Sequence, residues 1–184
     1  ESLMRSVTMI PGGTEFGYGT TIVSDSVSGQ PKNRYAGQAV SDFASSLEDL
    51  LAVAPHLEHV SLVVAWHGTD LRCGTCEIRP KVETASGSTA PYVWQVGNVA
   101  RGTAQVVSQI SGKPAFGGAP SDRSIYEAIV ALKAAGLKVT LYPFILMDIP
   151  TGNTLANPYG GASQPVYPWR GKITCHPAPG QVGT

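Results

Sequence analysis

The segment from Ala65 to Glu83, AWHGTDLRCGTCEIRPKVE, concentrates most of the side chains in this sequence that could do chemistry. An apolar run, VSLVVAW, ends at His67 and gives way to acids, bases and a Cys-x-x-Cys. Chain order places Asp25, Asp70 and Asp148 after the three strands, and Asp70, after VSLVVAW, and Asp148, after LKVTLYPFILM, are the best placed. Hydrolysis of a glycosidic bond needs two such carboxyl groups, one as acid and one as nucleophile or base. Asp70 and Asp148 are therefore the candidate catalytic pair. An aspartate after a strand also serves as a cap or turn residue, and Asp148-Ile-Pro could simply close a turn.

Cys73-Gly-Thr-Cys76 raises zinc and redox chemistry. A structural zinc ion wants four ligands, and Cys175-His176 could complete a Cys3His set. Adjacent residues rarely bind one ion together, and there is no second Cys-x-x-Cys. A thioredoxin-like pair belongs at a helix N-terminus, whereas these flanks read as loop. Unpaired thiols, a Cys76–Cys175 or Cys73–Cys76 disulfide, and a metal site all stay open. Arg72, Arg79 and Lys81 lie among Asp70, Glu77 and Glu83, the composition of a loop braced by its own ion pairs. Trp66, Trp94 and Trp169 fall at strand ends or in loops near Tyr92, Tyr159 and Tyr167, where aromatic faces suit sugar rings or loop packing. Trp66, His67, Arg72 and Trp169 are the candidate substrate contacts.

The elements that must position these groups follow from periodicity. Glu15 to Ser24 alternates as a strand, with Phe16, Tyr18, Thr20 and Ile22 on one side. Ser41 to Ala54 reads as a helix capped by Ser41 or Asp42 and ended by Pro55. Val60 to Trp66 reads as a buried parallel strand. Val96 to Ile110 aligns Val99, Val106 and Ile110 as a second helix. The third helix begins at Ser121 and stops at Gly136, running into a strand over Leu137 to Met147. Asp148 to Thr184 shows no regular element, so it is either a functional loop or a sign of a longer chain.

Strands alternating with helices predict an α/β fold with a parallel sheet, either doubly wound or part of a (β/α)8 barrel. No glycine-rich phosphate loop follows a strand, which weakens the nucleotide-binding version. A full barrel takes about 250 residues, more than the 184 present. That length fits one domain. Thirteen basic and thirteen acidic residues cancel without blocks of like charge, which argues against a nucleic-acid partner. No apolar run is long enough for a transmembrane segment, and no signal-peptide pattern opens the sequence. Twenty-one Gly and fourteen Pro mark a loop-rich protein.

SLVVAWHGTDLRCGTCEIRPKVE resembles the pattern SLVVxWFGxDLRxGxCxIRPGVE of the gene transfer agent TIM-barrel-like domain family. The likeness continues through KPAFGGAPSDRSIYEAIVALKAAGLKVTLYPFILMDIPTGN and PYGGASQPVYPWRGKITCHPAPG, which with the opening strand span nearly the whole chain. The resemblance implies the N-terminal portion of a (β/α)8 TIM-barrel-like, glycoside-hydrolase-like domain over residues 1–184, with strands near 15–24, 60–66 and 137–147. It implies a place in the tail-tip or baseplate hub of a gene transfer agent or siphophage. The location would be the virion, extracellular after release. The partners would be other tail and baseplate proteins and host cell-envelope polysaccharide, in a homo-oligomeric particle. A structural role, an active glycosidase and a non-catalytic carbohydrate-binding module are the three functions that fit; no cofactor and no metal are expected. In barrel glycosidases the acid/base follows the fourth strand and the nucleophile the seventh, and neither strand is evident here. His67 stands where the family pattern has Phe, and Cys73 is additional. The pattern's own two cysteines map to Cys76 and Cys175, which favours a contact or disulfide between those two.

Overall fold

The computed structural model describes residues 3–10, 15–167, 169–170 and 172–181, with residues 169–170 described for their backbone alone. Its centre is a three-stranded parallel sheet in the order β1 (Ser6–Met9), β2 (His59–Gly68), β3 (Lys138–Met147). β2 and β3 pair in register over their full lengths, from Lys138 opposite His59 to Met147 opposite Gly68. Helix α1 (Asp42–Val53) precedes β2, and α2 (Asp122–Ala134) precedes β3. Both start where a serine hydroxyl accepts a backbone N–H: Ser41 from Ala44 and Ser121 from Ser124, each at 3.3 Å. Gly136, at φ +80°, supplies the left-handed residue that ends α2.

Both helices pack on one face of the sheet. Phe43 and Leu47 of α1 and Ala128 and Leu132 of α2 bury Val60 and Leu62 of β2. Fully burying a Leu or Val contributes about 1.5–3 kcal/mol each, so this face anchors the fold. Tyr18 adds a hydrogen bond to the Val63 carbonyl at 2.5 Å from beyond β1. Where β2 and β3 end, side chains of β3 crowd Gly68: a β-carbon there would sit 2.8 Å from Met147 Sδ and 3.2 Å from Ile145 Cγ2.

The chain is not the N-terminal portion of a (β/α)8 barrel. Only two α-helices occur among the described residues, and most strands are two-residue ladders in separate small sheets. The additions to the parallel core are antiparallel: Ile78–Arg79 pairs with the end of β2, and Trp169–Arg170 with the end of β3. The register of β3 gives a physical reason. Lys138 and Asp148 donate their N–H groups to the Glu58 and Gly68 carbonyls, both at 2.9 Å. Even-numbered residues between them therefore bond to β2, and the odd ones turn their backbone groups outward. Pro143 is odd, so its missing N–H falls on the outer side of β3, where proline suits an edge and obstructs a central barrel strand.

Two expected elements are replaced. Residues 15–18 form turns in place of a strand, with Glu15, Phe16, Tyr18 and Gly19 all buried. The Asn33 side chain stands in for a ladder partner, accepting from Val23 N–H at 2.9 Å and donating to the Gly19 and Thr21 carbonyls. The helix expected over 96–110 is a hairpin of Gln95–Val96 with Val99–Ala100, a 3-10 turn at Arg101–Thr103 and a short strand, Gln105–Val106, beside Lys81–Val82. Among the described residues, Asp148 onward is irregular apart from Trp169–Arg170. No helix among the described residues is long and apolar enough to cross a membrane.

Candidate functional site

Strand register brings two of the singled-out groups to one end of the sheet. His67 lies opposite Leu146 and Asp148 follows Met147, so both emerge at the C-terminal ends of β2 and β3. Between them comes Lys81, from the Lys81–Val82 strand. Its Nζ donates to Asp148 Oδ2 at 2.8 Å, with both side chains buried. The Ser108 N–H donates to both Asp148 oxygens at 3.2 Å. Both carboxylate oxygens are thus engaged, by a cation and a backbone donor inside the protein.

His67 is fully buried, and neither ring nitrogen has a hydrogen-bond partner. Its ring meets the edge of Phe116 at 6.0 Å, and Phe116 in turn meets Tyr167 at 6.1 Å. Burial pushes the imidazole down to about 4; the Asp148 charge opposes this, and Lys81 reinforces it. The Gly117 backbone polarises the ring in the same sense as Asp148 without completing a hydrogen bond. His67 is therefore a neutral ring at neutral pH, packed as an aromatic.

Asp70 is buried and fully engaged. Oδ1 accepts from the Arg72 N–H at 2.8 Å, Arg72 Nε at 3.0 Å and Gln164 Nε2 at 2.7 Å. Oδ2 accepts from Arg72 at 2.6 Å and from the Thr75 hydroxyl at 2.9 Å. Burial alone would raise its pKa, but the bonds from Arg72, Gln164 and Thr75 outweigh it and hold the carboxyl well below the usual carboxylate range. Such a group cannot deliver a proton, and its lone pairs are spent on the loop. Gln164 ties that loop to the C-terminal segment by accepting the Leu71 N–H at 2.9 Å as well. The charges of the 65–83 segment pair off: Arg72 with Asp70, Arg79 with Glu77, and Lys81 with Asp148. The Arg79–Glu77 pair is exposed and contributes little to stability.

A further ion pair was not evident from the sequence. Buried Glu15 receives both terminal nitrogens of Arg101 and the Glu83 N–H, while Arg101 lies 5.9 Å from the Trp94 ring centre. It borders a polar cleft of about 340 Å³ that also includes Asp25, Lys32, Tyr35 and Thr84. Trp66 does not join His67: it sits on the helix-covered face and lines an apolar groove with Tyr126, Ile129 and Pro143. Arg72 is held by Asp70. The Trp169 side chain lies outside the described residues. Cys73, Cys76 and Cys175 are all free thiols, so of the contact or disulfide that the resemblance favours for Cys76 and Cys175, no bridge is formed here. Among the described residues no group of three or more His, Cys, Asp or Glu could hold a metal ion.

No family model and no curated protein sequence matches this chain. The site's own chemistry is two carboxyl groups locked to cations, Asp70 to Arg72 and Asp148 to Lys81, with the neutral buried imidazole of His67 within the field of the second pair.

Proposed function

We propose that this chain is a structural component of a phage-like tail tip or baseplate, in a gene transfer agent or siphophage, that contributes to host-envelope contact without cleaving polysaccharide. One observation carries the non-catalytic part. Asp70 and Asp148, the acids that topology brings to the loop face, are both buried and bound to cations. Glycoside hydrolysis needs one carboxyl group that is protonated near neutral pH and another with an accessible lone pair. Asp70 is held well below the usual carboxylate range with its oxygens taken up by Arg72, Gln164 and Thr75, and both Asp148 oxygens are engaged inside the protein by Lys81 and the Ser108 N–H.

The assembly part rests on two supports. The sequence blocks at 61–83, 113–153 and 158–180 resemble the hub-protein family; the barrel implied by that resemblance plays no part in this reading. The second support is surface. Leu141, Tyr126 and Ile78, each about half exposed, line one apolar groove, and among the described residues the outward backbone groups of Val139 and Leu141 leave an edge open for strand addition. Contiguous exposed apolar surface of this kind marks protein contact sites.

Immunogold labelling of intact particles, with an antibody raised against this chain, tests the placement. The expected result is label confined to the tail tip. Particles that lack the polypeptide, or label spread over the capsid, would overturn the assignment.

A further inference from the structure

The backbone register sets Cys175 beside Cys73, a different partner from the one the sequence pattern suggests. Thr174 N–H donates to the Leu71 carbonyl and Cys73 N–H donates to the Thr174 carbonyl, both at 2.8 Å. These two bonds make Arg72 and Thr174 a parallel bridge pair. The next residues on the two chains are Cys73 and Cys175. Neighbouring strands run about 4.8 Å apart, and the Cys73 N–H bond holds the two chains together at that step. If the register of the Arg72–Thr174 bridge carries on by this one step, their Cα atoms fall in the window of about 4.4–6.8 Å that a disulfide requires. Both residues are exposed, so a reagent can reach either sulfur.

Cys76 is placed differently. Its N–H is taken by the Arg72 carbonyl at 2.9 Å as the chain turns, and its side chain packs beside Leu71 and Ile173 in a small apolar cluster. It is only partly exposed.

We propose that Cys73 and Cys175 form a thiol–disulfide exchange site, closed by a low-molecular-weight disulfide of the glutathione type. One cysteine thiolate attacks the reagent's S–S bond and expels one reagent thiol. The second protein thiolate then attacks the mixed disulfide and expels the other. Two protein S–H bonds are lost and one S–S bond is formed; the reagent is reduced to two thiols, so electrons and protons balance. Closing the bridge asks Cys175 Sγ to leave the Pro177 carbonyl, 3.3 Å away in the reduced form. The bridge would staple the irregular C-terminal segment to the loop after β2. The pairing rests on register alone and stands whether or not the chain belongs to a tail tip. If it does, release into an oxidising medium is the step that would close the bridge.

The test treats the full chain with oxidised glutathione, then counts maleimide-reactive thiols and sequences the cross-linked peptides. The count should fall from three to one, with a Cys73–Cys175 peptide recovered. Cys76→Ser should still form the bridge, whereas Cys73→Ser and Cys175→Ser should yield only glutathione adducts. A Cys76–Cys175 peptide as the main product, a bridge that survives Cys73→Ser, or glutathione adducts alone on the unmutated chain would each overturn the proposal.

Discussion

Replacing Lys81 with methionine is expected to cost the fold about 3–5 kcal/mol, because it strands the buried Asp148 carboxylate without its cation. Methionine keeps the length and apolar stem of lysine, so the loss reports charge in place of packing. Among the described residues the other hydrogen bond to the Asp148 carboxylate comes from the Ser108 N–H at 3.2 Å, which cannot replace an ammonium group at 2.8 Å. Urea unfolding of Lys81→Met, Asp148→Leu and the double variant reads the effect. The double variant should recover most of the stability, since removing both charges leaves no uncompensated ion. A cost below about 1 kcal/mol for Lys81→Met, the value of an exposed pair, would mean that the cluster is open to water and that its carboxylate is available for chemistry.

The second large effect is in pH. His67 has a folded pKa pushed down from 6.5 to about 4 by burial. A group whose folded pKa is depressed contributes stability above its unfolded pKa and loses it as pH falls towards the folded value. The unfolded chain protonates at His67 from about pH 6.5 downward, while the folded chain resists until about 4. Stability should therefore fall by up to about 3 kcal/mol across that interval, at about 1.4 kcal/mol per unit. Asp70 acts in the same direction lower down, because its folded pKa is depressed by Arg72 and Gln164 against the opposing effect of burial. Its contribution is present above the unfolded carboxylate value and fades as pH falls below it. His67→Phe should remove the upper stage and leave the lower one. A flat stability profile between pH 7 and 4 in the unmutated chain, measured by thermal unfolding in a buffer series, would contradict this account.

The parts of the fold that could be read from sequence are those where local rules and tertiary packing agree. α1 and α2 carry a serine cap and an apolar stripe, and β2 and β3 are continuous apolar runs; all four formed within a few residues of the expected limits. Elsewhere, local pattern was overruled. Phe16, Tyr18, Thr20 and Ile22 alternate like a strand, but Asn33 satisfies the backbone there and the segment turns. Val99, Val106 and Ile110 align at helical spacing, yet Gly97-Asn98 between two valines is a hairpin signal, and Gly97 sits at φ +54°. The four-residue β1 is too short to announce itself. The barrel expectation failed because it counted strand–helix alternation and gave no weight to the proline within β3.

The site divides similarly. A loop braced by its own charges was legible because Asp70, Arg72 and Thr75 are sequence neighbours. The Lys81–Asp148 and Glu15–Arg101 pairs link residues 67 and 86 positions apart, and no local pattern specifies such partners. Asp148 was found as a carboxylate after a strand, but its cation lay in a segment whose role in the sheet could not be foreseen.

The most direct test of the central claim is reducing-end release from host peptidoglycan and surface polysaccharide, by the intact chain and by Asp148→Asn. No release above the blank is expected from either protein, because Asp70 and Asp148 are held inside the protein by Arg72 and Lys81. Release by the unmutated chain that disappears in an Asp148→Asn variant still showing cooperative unfolding would contradict it and make Asp148 a catalytic group.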